Sequence, residues 1–260
     1  MESKDYNDLY EIKNFKTNYN NIERIIPYKI HQTFKISTVP KKMYDATLSY
    51  KNLNPNYDYY FYDDNNILSI IDNFDCSQFL FSKDDLKRAY TSMNTGAGKA
   101  DIFRYIIVYL EGGCYFDIDT VCLNALDTFI QNDDELVSGI GFRHDLHQWG
   151  LIYKKEHPFI KKALENSINN INNKIFVDNF INSLEGLTGP PCLDKSIKEI
   201  LCLNKDYKFT IGKYTINNFK FNILNGDYFG GNIKFKYDGY FDDLKKIGVS
   251  YWGNSNIYCS

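Results

Sequence analysis

Nowhere does this chain of 260 residues approach the roughly 18 consecutive apolar residues that a membrane-spanning helix requires. Residues 1–24, MESKDYNDLYEIKNFKTNYNNIER, are polar and contain no apolar signal-peptide core. The chain therefore reads as soluble and cytoplasmic, with no transmembrane segment. An excess of charge of either sign is also missing. With 30 basic and 33 acidic residues interspersed, the net charge is −3, which leaves no basic footprint for nucleic acid or an anionic bilayer. The six cysteines (Cys76, Cys114, Cys122, Cys192, Cys202 and Cys259) lack C-x-x-C spacing and sit mostly in apolar runs. That speaks against a zinc site or a disulfide framework and fits buried free thiols in a reducing compartment. For all its asparagines the chain holds no N-x-[ST] glycosylation acceptor.

What is present is an aromatic, globular composition: 22 Tyr and 19 Phe among 43% hydrophobic residues, enough for one compact unit with a substantial core. Residues 1–25 read as a polar arm or loose helix, and 26–260 as the domain. After Pro27, YKIHQTF is short, β-rich and bounded by turn residues, the first core strand. A helix from about Lys41 to Leu53 stops at Asn54 and Pro55, and NYDYYFYDD follows as a second strand. Strand, helix, strand opens a Rossmann-like α/β half. Residues 66–92 look helical in two pieces, with Ser82 as an N-cap. In GAGKADIFRYIIVYLEGG, Phe103, Ile106, Ile107 and Leu110 form an apolar helical stripe that ends at Gly112 and Gly113. CYFDIDTVCL reads as the next strand, ELVSGIGF and QWGLIYKK as further β pieces, and 158–171 and 191–203 as helices. The end, from FTIGKYTI to YWGNS, is strand-like and hard to assign. There is no internal repeat.

Chemistry concentrates in one segment. If FDIDT is strand, Asp117 and Asp119 point to the same side, and two carboxylates at a strand end suit a hard Mg²⁺ or Mn²⁺ that also binds phosphate oxygens. On the preceding helix Asp101 and Arg104 lie three apart, away from the apolar stripe. Each feature has a bland explanation: a solvated acidic turn for the first, and for the second a surface ion pair contributing roughly 0–1 kcal/mol. Joined through a tight Gly-Gly turn, however, the four converge on one region.

That segment, A-x-x-x-D-x-x-R followed by GG-x-Y-x-D-x-D, resembles the DXD sugar-binding region of glycosyltransferase family 32. Mannosyltransferase-like enzymes, capsular polysaccharide transferases and the glucosylating domain of large clostridial toxins share that region. IPYKIHQTF, NPNYDYYFYDD and LTGPP resemble further motifs of the family, and SYWGNSN resembles its closing H-H-W-x-x-S-W less well, so the likeness runs from about residue 26 to 256. It implies a GT-A type fold with a mixed central sheet. It also implies a metal-dependent, retaining transfer of a hexose or N-acetylhexosamine from a UDP- or GDP-sugar to a glycan or protein hydroxyl. By the same resemblance Asp101 and Arg104 hold donor-sugar hydroxyls, Asp117 meets ribose, sugar or metal, Asp119 binds the metal, and Tyr115 shapes the diphosphate site. His31, Gln32, Phe34, Asp64 and Asn65 hold base and ribose, Ala100 joins the donor site, and Trp252 closes over it. Ser250 and Tyr251 stand where two histidines are usual and Asn256 replaces the final Trp, so a metal contact from the tail falls to Asn254 or Ser255.

Rival readings use the same residues. FDIDTV also satisfies D-x-D-x-[TV], resembling aspartyl-phosphate phosphatases of the haloacid-dehalogenase type, with Asp242 and Asp243 as a later acidic pair. That motif normally lies on the first core strand, whereas here more than a hundred residues precede it. A catalytically inactive sugar- or nucleotide-binding relic is the other alternative. His31 is better explained by a hydrogen-bonded core histidine than by catalysis, and His144 and His147 near Asp145 by a polar turn rather than a metal cluster. The Gly-Ala-Gly before Lys99 lacks P-loop spacing and serves a helix start.

Overall fold

The computed structural model describes residues 9–19, 22–141, 143–177, 183–226, 228–250 and 256–258. In chain order the elements that matter here are β1 (Leu9–Glu11), β2 (Lys29–Thr33), β3 (Thr38–Pro40), α1 (Lys41–Leu53), β4 (Asp58–Tyr62), α2 (Asp64–Asn73), α3 (Lys83–Ser92), α4 (Gly96–Glu111), β5 (Gly113–Phe116) and β6 (Val121–Cys122). They continue with β7 (Leu136–Gly139), β8 (Gly150–Tyr153), α5 (Pro158–Asn173), α6 (Leu184–Thr188), α7 (Pro190–Leu201), β9 (Gly212–Ile216), β10 (Phe219–Leu224), β11 (Ile233–Lys234) and a closing helix, Tyr240–Lys246.

Seven strands form one mixed sheet in the order β4-β2-β5-β8-β7-β10-β9. β2 runs parallel to both β4 and β5, β8 is antiparallel to β5 and β7, and β10 is parallel to β7. Alternation along β5 feeds two cores. Tyr115 packs with α2 to α7 on one face, and Cys114 and Phe116 pack with α1 and the closing helix on the other. Such a strand is covered on both sides, which is why CYF shows no polar alternation. The helix starts are locally encoded. Asp63 with Asn66 and Ser82 with Asp85 form capping boxes, and the Thr95 side chain accepts from the Gly98 amide at the start of α4.

Four expectations are corrected. First, β5 ends at Phe116, and Asp117 and Asp119 sit in a turn rather than on a strand. The Asp117 carbonyl accepts from the Thr120 amide, the Thr120 hydroxyl and Gln32 Nε2, so it is withdrawn from the ladder. Second, the polar start is no loose helix over its described part. β1 pairs with β3, Phe15 bridges Tyr59, and Arg24 lies over the Tyr28 ring and binds Asp127. Third, α4 is buried around nearly its whole circumference, so Asp101 and Arg104 face protein and not water. Fourth, Cys202 is exposed, while Cys114, Cys122 and Cys192 are buried and free as expected. The C-terminal region resolves into the β9–β10 hairpin and the closing helix. Among the described residues no helix is long and apolar enough to cross a membrane.

Two buried histidines tie stability to pH. His157 caps α5 by accepting from the Phe159 amide at 3.2 Å, and burial, reinforced by Lys154, pushes its pKa down to about 3. His31 bridges the Tyr62 hydroxyl and the Gly112 carbonyl, and burial lowers its pKa to about 4 against the opposing pull of that carbonyl. Both folded values lie below the unfolded value of 6.5, so the neutral forms stabilise the fold above that pH and the benefit is lost as pH falls through it. Each histidine should remove about 2 kcal/mol of unfolding free energy between about pH 7.5 and about pH 5, measured by urea titration. His157→Asn, which keeps a capping acceptor, should abolish about half of that acid sensitivity. Asp101 and Asp119, held above the usual carboxylate range, oppose this loss in the wild type, so the readout is the difference between proteins: a His157→Asn variant that changes in stability between the two pH values by as much as the wild type would contradict the assignment.

Candidate active site

The site is built by one helix, one glycine turn and one strand. α4 ends at Gly112 with φ +61°, and Gly113 follows with φ +89°. A Cβ on Gly113 would lie 2.6 Å from the Lys29 carbonyl oxygen, and one on Gly112 would lie 2.6 Å from the Lys155 amide nitrogen. Only glycine lets the chain reverse this closely, and the reversal returns β5 along α4 so that Asp117 meets Arg104.

The Arg104 guanidinium, 4% exposed, spans two carboxylates: 2.9 Å to Asp101 Oδ1 and 2.7 Å to Asp117 Oδ1. It also donates to the Gln148 carbonyl at 3.3 Å. The Tyr115 hydroxyl donates to the same Asp117 oxygen at 3.0 Å. Behind Arg104, the Thr188 hydroxyl donates to Asp101 Oδ2 at 2.5 Å, and Gln148 Nε2 and the Tyr105 hydroxyl both donate to the Thr188 carbonyl. Burial raises the Asp101 pKa to about 6, with Arg104 and Thr188 pulling it back. Arg104 stays charged because Asp117 and Asp101 outweigh the desolvation that would lower it. Asp119 is 6% exposed, and its Oδ1 is buried with no hydrogen-bond partner. Burial first and the neighbouring Asp117 second raise its pKa, while Lys236 opposes. The turn is locked from below by Gln32, which also accepts from Tyr59, and by Thr120, whose hydroxyl meets that of Tyr50 at 2.6 Å.

An open cleft of about 440 Å³ lies above this turn, within the range of small-ligand sites. Of the residues expected there, Phe34, Asp64, Ala100, Arg104, Tyr115, Asp117 and Asp119 line it. Asp101, His31 and Gln32 are buried and do not reach it; they hold Arg104, Gly112 and the turn. Asn65 is exposed and outside the lining. Trp252, Asn254 and Ser255 lie outside the described residues. Sequence reasoning missed Lys35, Lys99, Tyr240 and Val249 as cleft residues, and Thr188 and Gln148 as supports. Thr188 alone left a signal, in LTGPP. Asp242 and Asp243 do not line the cleft, and Asp243 is spent on Tyr237 and Lys246.

The donor set fits a hard divalent cation in part. Among the described residues no three His, Cys, Asp or Glu side chains form a metal cluster. Asp119 nevertheless offers an orphaned buried oxygen on the cleft, beside Asp117, and one or two carboxylates completed by phosphate oxygens are what Mg²⁺ or Mn²⁺ takes in nucleotide sites.

Because Arg104 neutralises two buried acids, Arg104→Gln should destabilise the fold by about 3–5 kcal/mol in chemical denaturation, and Arg104→Lys should recover only part of that. A Gln variant with the wild-type midpoint would show that the triad carries no stability.

Residues 40–136 match the family described as glycosyltransferase sugar-binding region containing DXD motif. Inositol phosphoceramide mannosyltransferase 3 of Schizosaccharomyces pombe is 30% identical over 150 residues, covering 57% of this chain and 39% of that protein. Initiation-specific alpha-1,6-mannosyltransferase of Candida albicans is 30% identical over 152 residues, covering 54% and 38%. The chain thus spans less than half the length of these curated relatives. In structure it is similar to PaToxG Glycosyltransferase, with a TM-score of 0.51, 18% identity, and 68% and 70% of the two chains covered. Residues 40–136 thus match a glycosyltransferase sugar-binding region of the DXD type, and the mixed sheet that carries them has the GT-A fold.

Proposed function

We propose that the chain transfers a hexose from a nucleotide diphosphate sugar to a hydroxyl acceptor, that the donor is GDP-mannose, and that Mn²⁺ or Mg²⁺ is required. The observation that carries the reading is the Arg104 guanidinium fixed between Asp101 and Asp117 at the floor of the cleft, next to Asp119, whose Oδ1 is buried without a hydrogen-bond partner. The choice of mannose rests on the names of the relatives, which are mannosyltransferases. Retention of anomeric configuration is carried from the family resemblance alone.

In this reading Asp119 and Asp117 hold the cation, which when bound neutralises charge on the leaving diphosphate. The protein does the rest by position. Gln32 and Thr120 fix the turn by its Asp117 carbonyl, and Tyr115 and Arg104 fix the Asp117 side chain by one oxygen. Arg104, unable to lose its proton, presents a fixed positive edge to sugar hydroxyls, and Asp101 holds it there through Thr188 and Gln148. Phe34 and Tyr240 contribute aromatic rings to the cleft lining.

The test is nucleotide release from a panel of GDP- and UDP-sugars, with Mn²⁺ and with chelator. GDP-mannose should be cleaved and chelator should stop it; cleavage of a UDP-sugar instead would move the donor, and no cleavage of any donor in the presence of metal and simple glycoside acceptors would refute the function. Asp119→Asn should lower release by on the order of 100-fold or more. It should not lower the thermal midpoint, because burial and the neighbouring Asp117 both disfavour the charge that the substitution removes.

A further inference from the structure

The parallel strands β4, β2 and β5 lie side by side, so their C-terminal ends open onto one edge of the sheet. Asp117 and Asp119 follow β5 there, Phe34 and Lys35 follow β2, and Asp64 follows β4 at the first turn of α2. The Phe34 amide donates to the Tyr62 carbonyl at 3.2 Å, which keeps the β2 and β4 exits together. All five residues line the cleft. The β4 exit stands two strand spacings, about 10 Å, from the acidic turn. A ribose and its 5′-phosphate bridge such a distance, so a nucleotide with its diphosphate at Asp117 and Asp119 carries its base to Asp64.

That end of the cleft holds opposite charges that do not close on each other. Burial raises the Asp64 pKa, and Lys99 first and Lys35 second pull it back, so both ammoniums act on the carboxylate. Among the described residues, however, the Asp64 carboxylate accepts no hydrogen bond and forms no ion pair, and neither lysine forms an ion pair. The Asp64 charge also acts on the Tyr90 hydroxyl, which is buried without a hydrogen-bond partner, and the Lys99 ammonium lies 5.5 Å from the Tyr90 ring centroid. One carboxylate and one ammonium are therefore held near each other on the lining of one cleft, with their hydrogen-bonding capacity unspent. A guanine edge matches that pair: N1–H and the N2 amino group both donate toward a carboxylate, while O6 accepts from an ammonium. Uracil presents a single N–H between two carbonyl oxygens, which a carboxylate repels, and adenine presents an acceptor at N1. We propose that Asp64 and Lys99 select guanine as the donor's base, Asp64 by accepting from N1–H and the N2 amino group and Lys99 by donating to O6. This rests on the glycosyltransferase reading and gives its GDP preference a cause in named residues, independent of the names of the relatives.

The experiment is calorimetric titration of the full chain with GDP, IDP and UDP in the presence of Mn²⁺. IDP carries hypoxanthine, which keeps N1–H and O6 and lacks only the N2 amino group. The wild type should bind GDP about ten- to hundredfold more tightly than IDP, the range of one hydrogen bond to a charged group, and should bind UDP more weakly than GDP. Asp64→Ala should bring GDP and IDP within about twofold of each other and should not weaken UDP. The start of α2 is capped by Asp63 and Asn66, so this variant keeps its fold. Lys99→Met should weaken GDP and IDP by the same factor, because both carry O6. Equal wild-type affinity for GDP and IDP overturns the proposal, as does tighter binding of UDP than of GDP, or no binding of GDP. An Asp64→Ala variant that loses GDP and UDP alike assigns the carboxylate to the ribose and overturns it too. Nucleotide binding needs no turnover, so the two readings fail separately. A protein that cleaves a donor without distinguishing GDP from IDP fails the base assignment alone, and one that prefers GDP to IDP yet cleaves no donor fails the transferase reading alone.

Discussion

Everything at the cleft depends on one buried guanidinium. Arg104 is the positive charge that lets Asp101 and Asp117 stay inside the protein, and without it two desolvated carboxylates would have no partner but hydroxyls. Its placement follows from α4 being packed on all sides and from the glycine turn that brings β5 back along it. The count is still unbalanced: one guanidinium faces three acids, Asp101, Asp117 and Asp119, with Lys236 acting on the last two from the rim. Lys35 and Lys99, on the lining of the same cleft, bring further positive charge to it and act on Asp64 rather than on the triad.

The sequence carried the frame of this site better than its depth. α1 begins and ends at the expected residues because Asn54 and Pro55 stop it, and α3 starts at Ser82 because the cap is written in side-chain chemistry. The convergence of Asp101, Arg104, Asp117 and Asp119 was legible because it needs only a helix period and a tight turn. Burial was not legible. A spacing of three places Asp101 beside Arg104 but does not say what covers them, and that depends on Thr188 and Gln148, more than forty residues away from either. The acidic turn looked like strand for a related reason: alternation continues through Ile118, and only the tertiary bond from Gln32 marks where pairing stops.

His31 shows how a motif position can act through others. It lies in the motif strand, yet it is fully buried and its two ring nitrogens meet the Tyr62 hydroxyl and the Gly112 carbonyl. Gly112 is the residue where α4 reverses, so the histidine braces the turn on which the Arg104 to Asp117 contact relies. Gln32 does the same one step later, at the Asp117 carbonyl. β2 thus serves the site by fixing backbone carbonyls, which explains why two polar side chains are buried in it.

The depth of the charged cluster has a physical reason. Attraction between opposite charges is stronger in low dielectric, and Arg104 and Asp101 are accordingly buried behind the cleft while the half-buried Asp117 meets Arg104 at its floor. Such a cluster holds its geometry only while everything around it is packed. A change at Arg104 or Gly113 is therefore felt throughout α4 and β5, because the first leaves two acids without their cation and the second drives a side chain into the Lys29 backbone.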